Sequence, residues 1–282
     1  MSETVVEKMS RHFAPPDLRQ RVQGVLDKAG KRPGNTQVEE LAGLDQWHVE
    51  GLVSTRRLAE TAAITANDVV LDAGCGMGGP ARYLANTYGC TVRGLDMTIP
   101  YLETAQLLND FTGLSDTVLL ERGDVTDMRF DDGSFDVVWT QHAAQSIPDK
   151  PKFFAEMYRV LKPGGRLVIH DLYRGPGDPI HFPAFWGEDD SISFLVSDRE
   201  MRELLETTGF QVRHWNDTTQ AAHAANSAMD EDHAKSELQS ETIDGLDIFL
   251  LFDQQTLVMA ENSVKDMEVG SIGIFEAVLD RP

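Results

Sequence analysis

The segment that most constrains this chain is an apolar strand pattern followed directly by a glycine-rich turn. Residues 69–71 read Val-Val-Leu, which favours a buried β-strand. Four glycines follow within residues 74–79, and Pro80 suits the first turn of a helix. Glycines let the backbone approach a ligand closely, and a helix start offers free N–H groups. The sequence therefore predicts a strand, a turn and a helix that together form a nucleotide cradle.

Two patterns fit this turn, and they differ in the ligand that they favour. Gly74, Gly76 and Gly79 fit G-x-G-x-x-G, which alone is a weak signal for dinucleotide binding. The run from Asp72 to Gly78 also fits D-x-G-x-G-x-G, with a carboxylate two residues before the first glycine. That carboxylate would repel a pyrophosphate, but it would accept a ligand with a cationic centre and no phosphate, such as S-adenosylmethionine. The rest of the chain has to discriminate between the two.

The strongly acidic composition bears on the kind of partner that the chain can bind. Of its 282 residues, 46 are Asp or Glu and 25 are Lys or Arg, which gives a formal net charge of −21. Such a surface repels nucleic acid and anionic membranes. We therefore expect a small-molecule partner, with neither nucleic acid nor membrane bound. The same acidity is also typical of proteins from a high-salt source.

Three sequence features favour a cytoplasmic protein. No apolar run reaches membrane-spanning length, and residues 1–8 lack the basic and then apolar order of a signal peptide. The two cysteines, Cys75 and Cys90, are too few for a disulfide framework and are typical of a reducing compartment. We expect a cytoplasmic monomer or homodimer.

After the glycine turn, strand and helix patterns alternate, which is typical of an α/β fold with a parallel sheet. Strands are predicted at residues 68–72, 91–96, 117–121, 135–139, 166–171, 211–215 and 271–279. Helices are predicted at residues 17–29, 80–88, 99–111, 152–161 and 198–208. The sequence Leu-Lys-Pro-Gly-Gly at 161–165 marks a helix end just before a strand.

Polar residues follow the second and fourth predicted strands, at the edge of the sheet where ligands bind. Asp96 ends the second strand, where a carboxylate can accept both hydroxyl groups of a ribose. Dinucleotide-binding enzymes share this feature, so it predicts a ribose site without identifying the cofactor. Gln141, His142 and Gln145 follow the fourth strand. Because ligands in open parallel sheets bind where the strand order reverses, we expect these three residues where substrate meets cofactor.

Four motifs in this order resemble the class I S-adenosylmethionine-dependent methyltransferases. They are the glycine turn with its preceding acid, Asp96, the sequence Gly-Asp-Val at 123–125 and the run 135–171. The similarity spans residues 68–279, roughly three quarters of the chain. Shorter motifs resemble bacterial small-molecule methyltransferases of the sarcosine and dimethylglycine N-methyltransferase type, a group that includes natural-product O-methyltransferases. These motifs are D-Q-W-H at 45–48, G-G-P-A-R-Y-L at 78–84, Q-H at 141–142 and I-P-D-K at 147–150.

The resemblance implies an α/β, Rossmann-like fold with a seven-stranded, mostly parallel sheet, an antiparallel last strand, helices on both faces and helical cap elements. It also implies that residues 1–60 form an N-terminal helical lid and residues 61–282 a methyltransferase domain. Substrate-cap insertions are expected at about residues 173–196 and 216–268. Within the second insertion, the apolar residues 249–252 are predicted to be helical and to pack inward.

The cofactor implied by the resemblance is S-adenosylmethionine, with S-adenosylhomocysteine as product and no metal. Asp72 would lie near its amino acid part, whereas Asp124 and Val125 would bind its adenine through a carboxylate and a backbone N–H. Asp124 could also be an ordinary acid of a surface turn. The cofactor-binding residues implied are Asp72, Gly74, Gly76, Gly78, Asp96, Met97, Asp124, Val125 and Gln141. The eight histidines and two cysteines show no metal-ligand spacing.

The implied reaction is methyl transfer to a small soluble metabolite. The first candidate acceptor is an amine nitrogen of the sarcosine or dimethylglycine kind, as in betaine synthesis. The alternatives are an O-methyltransferase acting on a hydroxylated natural product or quinone-type metabolite, a cofactor-binding module without activity, and an NAD-dependent oxidoreductase. Asp72, Asp124 and the run 161–165 argue against the oxidoreductase.

His142 is the candidate catalytic residue, as a base or as a substrate contact, unless it only packs beside the cofactor. Substrate-binding residues are predicted at Trp47, His48, Gln145, Tyr173, Arg174 and Trp186. Trp47 and His48 are expected on the lid, although a packed tryptophan and a surface histidine would fit the sequence equally well. Arg174 would hold a substrate carboxylate, with Tyr173 as a neutral donor.

Overall fold

The chain forms one sheet of seven described strands. The structure, a computed structural model, describes Lys8, His12, residues 15–225, Leu246 and residues 254–282, without the side chains of Gln254 and Gln255. The strands are β1 (Val69–Ala73), β2 (Thr91–Asp96), β3 (Val118–Arg122), β4 (Phe135–Gln141), β5 (Leu161–Arg174), β6 (Gln211–Asp217) and β7 (Ile272–Asp280). Their order is β3-β2-β1-β4-β5-β7-β6. β7 runs antiparallel between β5 and β6, and the pairs among β1 to β5 are parallel, which confirms the predicted Rossmann-like sheet.

Helices connect the strands and also precede the sheet. They are α1 (Leu18–Lys28), α2 (Gly51–Thr61), α3 (Gly79–Tyr88), α4 (Ile99–Thr112), α5 (Lys150–Val160), α6 (Asp198–Thr208) and α7 (Gln254–Glu268). Short helical turns occur at Val38–Leu41, Ala42–Asp45, Ala144–Ser146 and Asp190–Ile192, and residues 219–225 are helical. No helix in the described ranges is both long and apolar enough to cross a membrane.

The sheet is covered by helices on both faces because successive strand residues point to opposite sides. In β1, Leu71 packs in a cluster with Phe153 of α5, whereas its neighbour Val70 packs in a second cluster with Leu84 of α3. All four side chains are fully buried. Burial of such a side chain stabilises the fold by roughly 1.5–3 kcal/mol. The continuous apolar runs of the central strands are therefore explained by two cores, one on each face.

Several elements extend beyond the predicted bounds, and for α5 and β5 the structure shows the cause. α5 begins at Lys150 and not at residue 152, because Asp149 caps it by accepting a hydrogen bond from the Lys152 amide and Pro151 suits the first turn. β5 continues to Arg174 because it pairs with β7 up to Ile272. The predicted helix at residues 249–252 lies outside the described residues.

Candidate cofactor and substrate site

A cavity of about 560 Å³ lies at the carboxyl ends of the central strands. It is lined by the covering segment (residues 42–52), by the loops after β1, β2, β3 and β4, and by Phe185, Ala225 and Ala260. The strand order reverses between β1 and β4, so the cavity occupies the position where open parallel sheets bind ligands. Its volume lies within the range of small-molecule sites.

The glycine turn and Asp96 form one side of this cavity. Gly76 has a φ of 52°, a conformation that favours glycine, and its amide donates to Asp96 Oδ2 at 2.9 Å. The Thr98 amide donates to the other oxygen, Oδ1, at 2.8 Å. Burial raises the pKa of Asp96, and these backbone hydrogen bonds oppose the rise. Each carboxylate oxygen keeps a free lone pair, so Asp96 can still accept hydroxyl groups from a ligand.

Asp72 presents an unpaired oxygen to the same cavity. Its side chain is 2% exposed, and Oδ2 has no hydrogen-bond partner within the described chain. Burial and, to a smaller extent, the nearby Asp96 raise the pKa of Asp72 to about 7. An unpaired buried carboxylate is costly unless a cation or donor reaches it. The acid pair therefore suits a ligand that carries a cationic group and hydroxyl groups, as S-adenosylmethionine does.

Asp45 of the covering segment lies against the glycine turn and is held there by Arg82. Arg82 Nη2 donates to Asp45 Oδ2 at 2.8 Å, and both side chains are almost fully buried. A Cβ atom on Gly79 would lie 2.9 Å from Asp45 Oδ1 and closer still to its carbonyl oxygen, so glycine is needed for this approach. Burial raises the pKa of Asp45 to about 6, although Arg82 opposes the rise. The pair fixes the covering segment to the floor of the cavity.

Eight of the nine predicted cofactor residues line the cavity, and Gly78 does not. Gly78 instead precedes α3 in a left-handed conformation, next to the Arg82 guanidinium. Asp124 Oδ1 accepts two hydrogen bonds from Thr126, from its amide and its hydroxyl, each at 2.8 Å. These bonds fix an exposed carboxylate at the cavity rim, while Val125 beside it is buried.

Three imidazole rings meet at the substrate side of β4. The ring of His142 lies 6.0 Å from that of His48 and 5.1 Å from that of His170. Burial lowers the pKa of His48 to about 4 and holds those of His142 and His170 well below their usual range. Gln141 lies beside the cluster, and its side-chain Oε1 accepts a hydrogen bond from the Trp139 indole at 2.9 Å. All three rings are therefore neutral near neutral pH.

His142 is held in an unusual conformation at the cavity wall. Its φ is 52°, a left-handed value that is uncommon for residues other than glycine, and its amide donates to the His170 carbonyl at 2.8 Å. Its Nε2 atom is buried without a hydrogen-bond partner within the described residues. Such strain is often found where a fold holds a functional side chain in place.

Three of the predicted substrate residues line the cavity, and three do not. Trp47, His48 and Gln145 are lining residues. Trp47 packs edge-on against Tyr101, with ring centroids 6.0 Å apart. His48 is half-buried and contacts Gln46, so it is not a surface histidine.

The placement of Tyr173, Arg174 and Trp186 differs from the prediction. The Tyr173 hydroxyl donates to Asp217 Oδ2 at 2.7 Å. The Arg174 guanidinium donates to backbone carbonyls, among them those of Gly175 at 2.7 Å and Asp178 at 3.0 Å. The buried Trp186 indole donates to Ser193 at 2.9 Å. None of the three lines the cavity, and each has a structural partner in place of a substrate.

The sequence-based interpretation did not assign several lining residues. These include Asp45, Met77, Pro80, Tyr101, Ser146 and Phe185. Asp45 stands directly before the Gln-Trp-His run, so an acid next to a predicted site was a usable signal. Within the described ranges, no group of three or more His, Cys, Asp or Glu side chains is arranged to hold a metal ion.

Known proteins match the chain most clearly over this core. Residues 71–169 match the family model of a methyltransferase domain. A probable tocopherol O-methyltransferase of Oryza sativa is 42% identical over 100 residues, which are 36% of this chain and 28% of that protein. The chain spans half or less of the length of the first curated relatives that it matches.

Solved structures resemble the whole chain in fold. Phosphoethanolamine N-methyltransferase 2 of Haemonchus contortus, solved with phosphomonomethylethanolamine and S-adenosylhomocysteine, has a TM-score of 0.75 at 17% identity, covering 100% of this chain and 61% of that one. A candidate sarcosine dimethylglycine methyltransferase from Galdieria sulphuraria has a TM-score of 0.69 at 20% identity, and the match covers 94% of this chain and 98% of that one. Residues 71–169 therefore match a methyltransferase domain, and the chain has the Rossmann-like fold of these solved methyltransferases.

Proposed function

We propose that this chain transfers a methyl group from S-adenosylmethionine to a small-molecule acceptor. The observation that carries the proposal is the acid pair at the glycine turn, where a buried, unpaired Asp72 oxygen and the fixed Asp96 carboxylate line one cavity. Asp72 suits the cationic amino acid end of the cofactor, and Asp96 suits its ribose hydroxyls. Asp124 and Val125 also line the cavity, which supports the proposal that they bind the adenine.

The protein's own contribution is to hold the reactants in line and to exclude water. When bound, the cofactor supplies a methyl group that is already activated by its attachment to a positively charged sulfur. The covering segment, anchored by the pair of Asp45 and Arg82, closes one side of the cavity. This arrangement supports the proposal that residues 1–60 act as a lid and that residues 61–282 form the methyltransferase domain.

His142 is proposed to orient the acceptor through its unpaired Nε2 atom. Because burial holds its pKa well below the usual range, the ring is neutral and can accept a hydrogen bond. The same low pKa makes His142 a weak base, so its main role is to position the nucleophile and not to remove the proton of the nucleophile.

An amine nitrogen is the first candidate acceptor, and a hydroxyl group is the second. One structural neighbour described above is named for N-methylation and the other for sarcosine and dimethylglycine, whereas the tocopherol relative is named for O-methylation. The carboxylate contact predicted at Arg174 no longer supports a sarcosine-like acceptor, because that guanidinium is engaged elsewhere. A cytoplasmic location and a monomeric or homodimeric state complete the proposal.

Calorimetry tests the proposal directly. S-adenosylmethionine and S-adenosylhomocysteine should bind to the purified protein, and NAD should not. Asp96→Ala should weaken both by at least about tenfold, because hydrogen bonds to a carboxylate are each worth roughly 1.5–3 kcal/mol. Asp116→Ala, at an exposed turn, is the matched control and should bind like wild type. Binding of NAD alone, or of no cofactor, would contradict the proposal.

A further inference from the structure

We infer that the acceptor end of the cavity recognises a hydrogen-bond donor, a hydroxyl or amine N–H group, and excludes substrates that carry a carboxylate or phosphate. This inference rests on the proposed function, and it narrows the substrate class of the same site. Three unpaired polar atoms and the charges around them carry it.

The three atoms belong to the segment that follows β4. They are His142 Nε2, Gln145 Oε1 and Ser146 Oγ, all buried without a hydrogen-bond partner within the described residues. Gln145 is 4% exposed and Ser146 is 6% exposed, and all three residues line the cavity. Buried polar atoms are rarely left unpaired unless a ligand or water meets them.

The orientation of Gln145 follows from its own contacts. Its Nε2 donates to the His142 carbonyl at 3.1 Å, which assigns the other amide atom, Oε1, as the unpaired one. A carbonyl oxygen can only accept hydrogen bonds. The neutral His142 ring offers Nε2 as a second acceptor when its proton lies on Nδ1.

The segment is held rigidly, so these atoms are placed before a ligand arrives. The Ala144 amide donates to Asp171 Oδ2 at 2.7 Å, and the Phe194 amide donates to the Gln145 carbonyl at 3.0 Å. The Lys150 ammonium donates to the Ile147 carbonyl at 3.0 Å. Preorganised acceptors lose little entropy on binding, which sharpens discrimination between donors and non-donors.

The charges of the lining have one sign. Five lining residues carry a carboxylate, namely Asp45, Glu50, Asp72, Asp96 and Asp124, and none of the described lining residues is a lysine or arginine. The two arginines that contact this set are already engaged. Arg57 donates to both oxygens of Glu50 at 2.9 and 2.8 Å, and Arg82 is bound to Asp45.

A carboxylate or phosphate on the substrate would therefore approach carboxylates of like charge and meet Gln145 Oε1, which cannot donate to it, whereas the Ser146 hydroxyl can pair with a donor or with an acceptor. A hydroxyl or N–H group would instead pair Gln145 or His142 and remove an unsatisfied buried atom. Sites built to hydrogen-bond a substrate donor discriminate strongly against analogues that lack it. Amino alcohols and neutral hydroxylated compounds fit this description, whereas sarcosine, dimethylglycine and phosphorylated amines do not.

Matched pairs of acceptors test the inference. Each pair exchanges a hydroxymethyl group for a carboxylate: N-methylethanolamine against sarcosine, N,N-dimethylethanolamine against dimethylglycine, and the hydroxymethyl against the carboxyl derivative of catechol. Methyl transfer is measured as kcat/KM, and binding to the protein loaded with S-adenosylhomocysteine is measured by ligand-observed NMR. We expect the hydroxymethyl member to be preferred by at least about tenfold in the pairs that react.

Two variants separate recognition from folding. Gln145→Leu should reduce the preference for the hydroxymethyl member, and Ser146→Ala, which removes a hydroxyl that can donate or accept, should change it less; both should leave S-adenosylhomocysteine affinity unchanged. Gln23→Leu, in α1 and outside the cavity lining, is the matched control. If the carboxylate members have an equal or higher kcat/KM, or if no hydroxymethyl member binds, this inference is wrong while the proposed function still stands. Loss of S-adenosylhomocysteine binding by the wild type would instead remove the proposed function and this inference with it.

Discussion

Replacing Arg82 by methionine should destabilise the protein strongly, because it leaves the Asp45 carboxylate buried without its cation. Arg82 is 0% exposed and donates to Asp45 Oδ2 through both Nη2 at 2.8 Å and Nε at 3.3 Å. It also donates to Asn109 Oδ1 at 2.9 Å and to the Ala105 carbonyl at 3.2 Å. Removing one partner of a buried ion pair typically costs about 3–5 kcal/mol, which is a large part of the stability of an ordinary domain.

The free energy of unfolding lost in Arg82→Met should increase as the pH rises. Burial raises the pKa of Asp45 to about 6 in the folded protein, above its value of 3.8 in an unfolded chain. The folded state therefore binds more protons, and Asp45 lowers stability as the pH rises through this range. Near pH 5 the carboxyl is largely protonated and needs no cation. The free energy lost in Arg82→Met should therefore be clearly smaller at about pH 5 than at about pH 8.

Denaturant titration at both pH values measures this loss. A double variant with Asp45→Asn removes both charges and should recover a large part of the lost free energy, because the two residues are directly coupled. Arg199→Met is the matched control, since the exposed Arg199 pairs with an exposed Glu203 and its replacement should change stability by less than about 0.5 kcal/mol. A loss below about 1 kcal/mol at pH 8, or an equal loss at both pH values, would refute the reasoning.

Three further predictions concern the site. Gly79→Ala should weaken S-adenosylhomocysteine binding in calorimetry and lower the free energy of unfolding by about 1–3 kcal/mol, because the added Cβ would displace Asp45. An unchanged affinity and an unchanged stability would contradict the close contact between Gly79 and Asp45. His142→Asn, which tolerates the left-handed backbone, should lower kcat by at least about tenfold and keep cofactor affinity; an unchanged kcat would remove the orienting role. Asp124→Ala should raise the Kd for S-adenosylhomocysteine by about tenfold or more. An unchanged Kd would mean that Asp124 is an ordinary acid of a surface turn and does not bind the adenine.

The central sheet was predictable because its signals are local. β2 begins and ends as predicted, at Thr91 and Asp96, and the antiparallel last strand is confirmed. The apolar runs, the glycine turn and the Pro-Gly-Gly stop each act within a few residues of where they stand. The ends of α5 and β5 were harder, because a cap at Asp149 and a pairing with β7 decide them.

Several features of the site depend on contacts between distant parts of the chain, which the sequence does not reveal. Arg174 is the last residue of β5, and its guanidinium donates to backbone carbonyls around residues 175–178 and to that of the distant Ser271. The pair of Asp45 and Arg82 joins residues 37 positions apart, and no spacing rule reveals it. His170 enters the imidazole cluster only because β5 lies next to β4. Of the residues predicted from sequence motifs, those assigned to the cofactor thus line the cavity more completely than those assigned to the substrate.

The most direct test of the acid pair as a cofactor site is the pH dependence of S-adenosylmethionine binding. Burial raises the pKa of Asp72 to about 7, so its carboxylate is mostly protonated at pH 6 and half ionised at pH 7. If the ionised form receives the cationic end of the cofactor, affinity should rise about fivefold between these values in calorimetry. Asp72→Asn should bind more weakly and without this rise. A pH-independent wild type, or a variant that keeps the same rise, would contradict the proposed site.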